Sequence, residues 1–319
     1  MCRIMLSIVR RKLERFYEGL LQSEIKNPPK HIAIIQDGNR RYAKRFGIER
    51  EEGHIEGAKI TEHVLQWCKE IGAKELTLYT FSTENFDRSE EERNELFDLM
   101  ESKLKQFVEM ESEDLEDVQV RIIGQLERVP ARVRKAARDI EKKTIENSKF
   151  KLNIALAYGG RDEMLDAAIE IAEEIRAKKI EVGAIDSKMI ESKLSNRYIR
   201  DVDLIIRTGG EVRTSNFLPW HANGNEAAVF FCSPYWPSFS KIDFLRGIRT
   251  YEHREHTWRT TRTERAMAIM KVIKKAEVED VKRVGKRLRQ YIPEKILEEM
   301  VNEVDHESRN HVSTVENYR

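Results

Sequence analysis

Short runs rich in β-branched and aromatic residues recur along the chain from Lys30 onward. They fall at His31–Ile35, Glu75–Phe81, Val118–Ile123, Lys151–Tyr158, Val202–Arg207 and Ala227–Cys232, and each has the length and composition of a buried strand. Between them, Gly57–Ile71, Glu90–Glu111, Pro130–Asn147 and Arg161–Lys178 place apolar residues at helical spacing. The alternation predicts an α/β fold: a single domain with a central, mainly parallel six-stranded sheet flanked by helices. In such a sheet ligands bind in the loops beyond the carboxyl ends of the strands. Two further segments flank this domain, which spans residues 30–257. Residues 1–29 begin with an amphipathic helix whose apolar set runs from Ile4 to Leu21, and residues 258–319 read as a charged C-terminal helical extension.

Composition narrows the classes of function. A hydrophobic fraction of 40% suffices for a core, and 57 basic against 56 acidic residues leave a net charge of +1, so no global field draws the chain to nucleic acid. In the tail Lys and Glu interleave, the pattern of a solvated helix face. Cys2, Cys68 and Cys232 lie far apart without a Cys-x-x-Cys spacing, which argues against disulfides and structural zinc and suits a reducing cytoplasm. Charged residues interrupt every apolar run before it reaches the roughly 20 residues that span a bilayer. A peripheral lipid contact through the N-terminal helix remains open beside ordinary packing of that helix on the domain.

Three strand ends carry chemistry. The first leads into Asp37-Gly38-Asn39-Arg40-Arg41-Tyr42, with Arg50 and His54 close behind: a carboxylate, a turn and a cluster of donors suited to a phosphate group, or alternatively a plain surface turn. The second leads into Ser82-Thr83-Glu84-Asn85-Phe86-Asp87-Arg88-Ser89 and the acidic run Glu90-Glu91-Glu92. Asn85 and Arg88 could bind a diphosphate there, while Ser89 caps a helix whose first turn is acidic. The third leads into Arg207-Thr208-Gly209-Gly210 and on to Arg213, Thr214 and Ser215, a second anion cradle. Two cradles suit two phosphorylated substrates. Farther on, Glu226 opens the last strand, and with Asp37 it could hold a hard cation such as Mg2+, which takes one or two carboxylates and completes its shell with phosphate and water.

Taken together and in order, Asp37-Gly-Asn-x-Arg41, Gly53-His54, Phe81-Ser-x-Glu84-Asn85, Tyr158-Gly-Gly-Arg161 and Arg207-Thr-Gly-Gly-Glu-x-Arg213-x-Ser215 resemble the cis-prenyltransferases, the undecaprenyl diphosphate synthase family. The resemblance covers about Lys30 to His256, and Asn39–Ala43 and Pro219–Glu226 look most like its archaeal branch. It implies Mg2+-dependent elongation of an allylic diphosphate, geranylgeranyl or farnesyl, by isopentenyl diphosphate, in a homodimeric enzyme with a hydrophobic tunnel. It makes Asp37 the essential acidic residue and a metal ligand, with Glu226 the second. Around the allylic diphosphate it places Gly38, Asn39, Arg40, Arg41, Tyr42, Arg50 and His54. Ser82, Thr83, Glu84, Phe86 and Arg88 become the substrate loop, and Asn85 the position of the family's proposed proton acceptor. Arg207, Arg213, Thr214 and Ser215 become the isopentenyl diphosphate binders. An Asn amide is a poor base, so Asn85 is expected to position a phosphate oxygen or water. One wall of the tunnel is expected along Leu96–Val108, with Phe150 near its closed end.

The departures from bacterial members are few. Tyr42 and Phe86 stand where those members carry Trp, and Val212 where they often carry His. The Arg-x-Gly ending through which many homodimers reach the partner's site is missing near Arg254–Arg259. Trans-type synthases are excluded by the absence of paired Asp-Asp-x-x-Asp motifs, and P-loop and Rossmann nucleotide enzymes by the absence of their glycine signatures. A catalytically silent partner subunit is disfavoured because the acidic and basic candidates are all retained.

Overall fold

The computed structural model describes residues 2–109, 117–194, 196–222 and 227–255, with side chains from Leu13 onward. Contacts divide the chain into two compact units, Met1–Glu252 and His253–Arg319, and the sheet belongs to the first. The expected tail helices beyond residue 257 lie outside the described residues.

Six strands, β1 (His31–Ile35), β2 (Glu75–Ser82), β3 (Val118–Ile123), β4 (Phe150–Tyr158), β5 (Leu204–Arg207) and β6 (Ala228–Phe231), form one sheet in the order β3-β4-β2-β1-β5-β6. Every strand pairing is parallel. All six expected strands are present, shifted by at most two residues at an end. β1 is buried along its whole length, and its side chains alternate between two cores. Ile32 and Ile34 face Val64, Leu76 and Leu78, while Ala33 and Ile35 face Ile205 and Phe217. Burial on both faces explains why the strand reads as an unbroken apolar run.

The helices are α1 (Cys2–Glu24), α2 (Asn39–Phe46), α3 (Arg50–Glu70), α4 (Glu90–Glu109), α5 (Ala131–Thr144), α6 (Gly160–Arg176), α7 (Ser187–Lys193) and α8 (residues 241–255). One boundary corrects the sequence reading: α3 starts at Arg50, seven residues before the expected Gly57. A reciprocal capping box, in which Glu49 accepts from the Glu52 N–H and Glu52 accepts from the Glu49 N–H, fixes that start. The short α2 and α7 are additions.

The amphipathic N-terminal segment is helical as expected. Leu21 is buried, and Lys241 of α8 bridges Glu18 of α1 and Glu70 of α3 at 3.0 and 2.8 Å. Among the described residues, no helix is long and apolar enough to cross a membrane, and Cys68 and Cys232 are buried free thiols.

Candidate functional site

The chain reverses its direction of travel across the sheet beside β1. The loops after β1, β2, β5 and β6 therefore converge over the carboxyl edge, at the switch point where α/β sheets bind ligands. At its centre is Asp37. Its Oδ1 accepts from Arg41 Nη2 at 2.9 Å and its Oδ2 from Arg207 Nη2 at 2.8 Å. Its backbone is held as firmly: the Asp37 carbonyl accepts from Thr208 Oγ1 (2.7 Å) and from the Trp236 N–H (3.0 Å).

Two glycines permit this packing. Gly38 has φ 110°, and a Cβ there would stand 2.8 Å from the Tyr235 ring. Gly209 has φ 85°, and a Cβ there would stand 2.7 Å from Arg41 Nη2. Both positive φ values and both close approaches demand glycine.

Arg207 is only 4% exposed. It gives one arm to Asp37 and the other to Ser215 Oγ (2.6 Å) and the Arg213 carbonyl (2.7 Å), while its buried Nε has no partner among the described residues. Ser215 is held at φ 46°, a left-handed conformation that costs energy in a non-glycine residue and marks a loop constrained by its surroundings. Arg213 behaves differently from its expected twin. Its guanidinium is exposed, with Glu211 3.6 Å away, and only its carbonyl enters the cradle. Thr214 is likewise exposed on the loop.

A second cluster is built around a residue the sequence reading passed over. Glu92, on the first turn of α4, is 3% exposed and meets three guanidinium groups from three elements. Arg88 lies at 2.8 Å, Arg40 at 3.6 Å and Arg50 at 3.8 Å. Arg50 also forks onto Glu95 at 3.0 and 2.8 Å, so it stands with α4 rather than with Asp37. His54 sits among these groups. Burial, with Arg88 beside it, pushes its pKa down to about 4, so at neutral pH the ring is uncharged.

In the loop after β2, Ser82 and Asn85 cap one another: the Ser82 N–H donates to Asn85 Oδ1 at 3.1 Å. With that oxygen engaged, Asn85 has its NH2 group, a donor, left to offer. Ser89 accepts from the Glu92 N–H at 3.3 Å, the expected cap of α4. Phe86 packs edge-on against Phe81 and lies under Arg128 at 4.1 Å, while Glu84 is exposed. Tyr42 packs on Phe46 with ring centroids 4.6 Å apart and the planes tilted by 44°. Glu226 lies outside the described residues.

Beneath the two clusters, a cavity enclosing about 950 Å³ of empty space, part of it open to solvent, runs between the sheet and helices α3 and α4. Asn39 and His54 stand in its wall, and Asn39 Oδ1 and His54 Nε2 are buried there without hydrogen-bond partners among the described residues. Deeper, the lining is apolar and includes Leu96, Met100, Leu104 and Phe107 of α4 against Leu78, Leu152 and Ile154 of the sheet. The expected α4 wall is therefore present. Phe97 points elsewhere, into an aromatic cluster with Phe81 and Phe86. Phe150 is buried one strand step below Leu152 on the same face of β4, beyond the residues that line the cavity. Arg161, from the Tyr158-Gly-Gly-Arg161 motif, takes a scaffolding role through its backbone, its N–H donating to Asn216 Oδ1 at 2.7 Å.

Glu92, Tyr235 and Trp236 are the site residues that sequence reasoning missed. A turn of Ser-Pro-Tyr-Trp-Pro after β6 was a signal that a loop would reach the carboxyl edge.

Comparison with known proteins agrees with this geometry. The family model for undecaprenyl diphosphate synthases matches residues 35–259. The tritrans,polycis-undecaprenyl-diphosphate synthase (geranylgeranyl-diphosphate specific) of Haloarcula marismortui is 50% identical over 289 residues, 91% of this chain and 95% of that protein. The enzyme of the same name from Halobacterium salinarum is 55% identical over 238 residues, 75% of this chain and 79% of its own. Among solved structures, the lavandulyl diphosphate synthase of Lavandula x intermedia in complex with dimethylallyl diphosphate superposes with a TM-score of 0.67 at 31% identity, covering 70% of this chain and 95% of that one.

Proposed function

Because the chain belongs to the undecaprenyl diphosphate synthase family, we propose that it elongates geranylgeranyl diphosphate with successive isopentenyl diphosphates, forming cis double bonds and releasing a long polyprenyl diphosphate that serves as a glycosyl carrier lipid precursor. One observation carries this reading: two arginine clusters, Arg41 and Arg207 on Asp37 and Arg40, Arg50 and Arg88 on Glu92, stand beside a largely apolar chamber. The charged heads of two diphosphates and one growing hydrocarbon tail are what such a site can hold at once. The choice of primer rests on the names of the archaeal relatives.

The division of labour follows from the contacts. The allylic diphosphate is held by Arg40, Arg50 and Arg88 over the mouth of the cavity, its prenyl tail passing Asn39 and His54 toward Leu104. A neutral His54 can donate one hydrogen bond without adding charge. The isopentenyl diphosphate lies over the Gly209–Ser215 loop, where Arg213 is free to swing onto it and Ser215 lines the cradle. As the allylic carbon–oxygen bond weakens, negative charge grows on the departing diphosphate, and preorganised guanidinium groups and backbone amides stabilise it. The alkene of isopentenyl diphosphate attacks the developing cation, and its proton leaves to a phosphate oxygen or water oriented by Asn85.

The residues fit Mg2+. Asp37 is a hard oxygen ligand whose present partners are two cations, and Mg2+ would need only one or two protein carboxylates of this kind. Asp37 would hold the ion, with Glu226 as a second carboxylate; when bound, Mg2+ supplies charge neutralisation to the diphosphate.

Exposed apolar positions support two associations. Leu13, Phe16, Tyr17 and Leu20 form an i, i+3, i+4, i+7 stripe along α1, suited to peripheral contact with the membrane that receives the product. Leu165 and Ile169, one turn apart on α6, offer a self-complementary surface for a homodimer.

The reading is tested with purified protein, geranylgeranyl diphosphate, labelled isopentenyl diphosphate and Mg2+. Label should pass into butanol-extractable product and cease to do so when the metal is chelated. Incorporation that is unaffected by chelation overturns the metal assignment. The absence of incorporation with any allylic primer overturns the function.

A further inference from the structure

Glu92 poses a problem for a diphosphate site. A carboxylate buried to 3% exposure stands where three guanidinium groups meet, in the cluster that would otherwise be free to grip an anion. Its partners come from α2 (Arg40), α3 (Arg50) and the loop after β2 (Arg88), so no local helix pairing explains the arrangement. Glu95, one turn along α4, adds a second carboxylate on Arg50, with a bidentate fork at 3.0 and 2.8 Å. Left without these anions, the three arginines would repel one another inside a partly buried mouth. With Glu92 present, any incoming diphosphate must share or take over guanidinium groups already engaged.

We propose that Glu92 is a positioning residue that acts as a resident competitor of the diphosphate: it holds Arg40, Arg50 and Arg88 convergent when the cradle is vacant and limits how tightly the cluster retains inorganic diphosphate after each condensation. The inference rests on the proposed function, since it takes the Arg40–Arg50–Arg88 cluster to be the allylic diphosphate site. Its chemistry is general. A processive enzyme must expel one diphosphate per cycle and then refill the same cradle with the lengthened chain's diphosphate. A cluster with no internal anion would bind every diphosphate strongly and exchange them slowly. Removing one negative charge within hydrogen-bonding range of the arginines strengthens their hold on an external anion, because at an effective dielectric near 20 a unit charge several ångströms away changes anion affinity by about tenfold or more.

The sign of this effect separates competition from mere scaffolding. Glu92→Gln keeps the shape and an amide oxygen for Arg88 while removing the charge. Inhibition by inorganic diphosphate, measured against the allylic substrate and backed by calorimetric binding of diphosphate with Mg2+, should become about tenfold tighter. Multiple-turnover rate should fall more than the rate of the first condensation. Glu92→Asp, which retains the charge, should stay within about threefold of the wild type. Glu95→Gln should shift inhibition in the same direction by a smaller factor, and it carries the test should Glu92→Gln fail to fold. Weaker or unchanged inhibition by diphosphate in folded Glu92→Gln and Glu95→Gln, beside a wild type that binds it, overturns this inference alone. A wild type that turns over but neither binds inorganic diphosphate nor is inhibited by it also overturns this inference, and leaves the function standing. A wild type that neither binds diphosphate nor turns over overturns the functional reading and this inference with it.

Discussion

Arg207 and Arg213 carry the same expectation from sequence, yet the structure gives them unlike surroundings, and replacing each with alanine should separate stability from binding. Arg207 is buried and makes three contacts of 2.6 to 2.8 Å, to Asp37, Ser215 and the Arg213 carbonyl. Deleting it removes the donor to Asp37 Oδ2, to the Ser215 hydroxyl and to the Arg213 carbonyl, and leaves Asp37 held by Arg41 alone through Oδ1. Breaking one side of a buried ion pair typically costs about 3–5 kcal/mol. Asp37 is 28% exposed and can recover some water, so the lower end, about 3 kcal/mol, applies. At roughly 2–4 °C per kcal/mol, the melting temperature should fall by about 6–12 °C. Turnover should collapse as well, because Asp37 loses its anchor.

The Arg213 side chain is 68% exposed and among the described residues pairs with Glu211 alone, at 3.6 Å, so Arg213→Ala should leave melting within about 1–2 °C of the wild type. Its loss should be felt only when isopentenyl diphosphate is bound: one charge-assisted contact of about 1.5–3 kcal/mol raises KM for that substrate by about 10- to 150-fold. Thermal melts followed by circular dichroism, together with separate titrations of the two substrates, decide the matter. Equal melting losses in both variants would refute the reasoning, as would an Arg213→Ala effect confined to the allylic substrate.

Three further outcomes are expected. His54 is neutral in the folded state, with a pKa of about 4 against 6.5 in the unfolded chain, so the unfolded state takes up the proton first as pH falls. Its contribution is full above pH 6.5 and is lost between 6.5 and 4, up to about 3 kcal/mol, and stability profiles of wild type and His54→Gln should diverge in that window; parallel profiles would count against the burial argument. Leu104→Trp should shorten the product by filling the cavity at α4. Phe150→Ala should lengthen it only if the chain displaces Leu152 and reaches the next step of β4, at a stability cost of about 3–5 kcal/mol for the lost ring, and chromatography of extracted products reads both variants. Offered geranylgeranyl and farnesyl diphosphate together, the protein should elongate the former, and a farnesyl preference would separate it from its halophilic relatives.

Much of this arrangement was legible in the residues. The six strands declare themselves because a doubly buried parallel strand must be apolar throughout, and Asp37, Arg41 and Arg207 stand at strand ends where short, rigid connections leave little freedom. Glu92 was not legible. In Glu90-Glu91-Glu92 all three residues look like the acidic first turn of a helix, and only the crossing of α2 and α3 over α4 selects the third for burial among arginines. The unlike fates of Arg207 and Arg213 were hidden for a similar reason: Arg207 ends the buried strand β5, whereas Arg213 lies on the exposed loop beyond it, and the letters alone do not tell the two apart. The early start of α3 followed from a capping box written with Glu in place of Ser or Thr, which reads as solvated charge until the backbone is seen. Phe150, expected near the closed end of the tunnel, opens β4 on the same face as Leu152 but lies outside the residues that line the cavity, because the depth of a cavity is not visible in sequence.

The central claim is that Asp37, clasped between two arginines above an apolar chamber, serves chain elongation. The most direct test is single-turnover condensation of geranylgeranyl and isopentenyl diphosphates by wild type and Asp37→Ala at saturating Mg2+, with the stereochemistry of the new double bond read by nuclear magnetic resonance. A cis bond is predicted from the wild type, and no product from a variant that remains folded and still binds the allylic substrate. A trans bond, or near-wild-type condensation by Asp37→Ala, would contradict that claim.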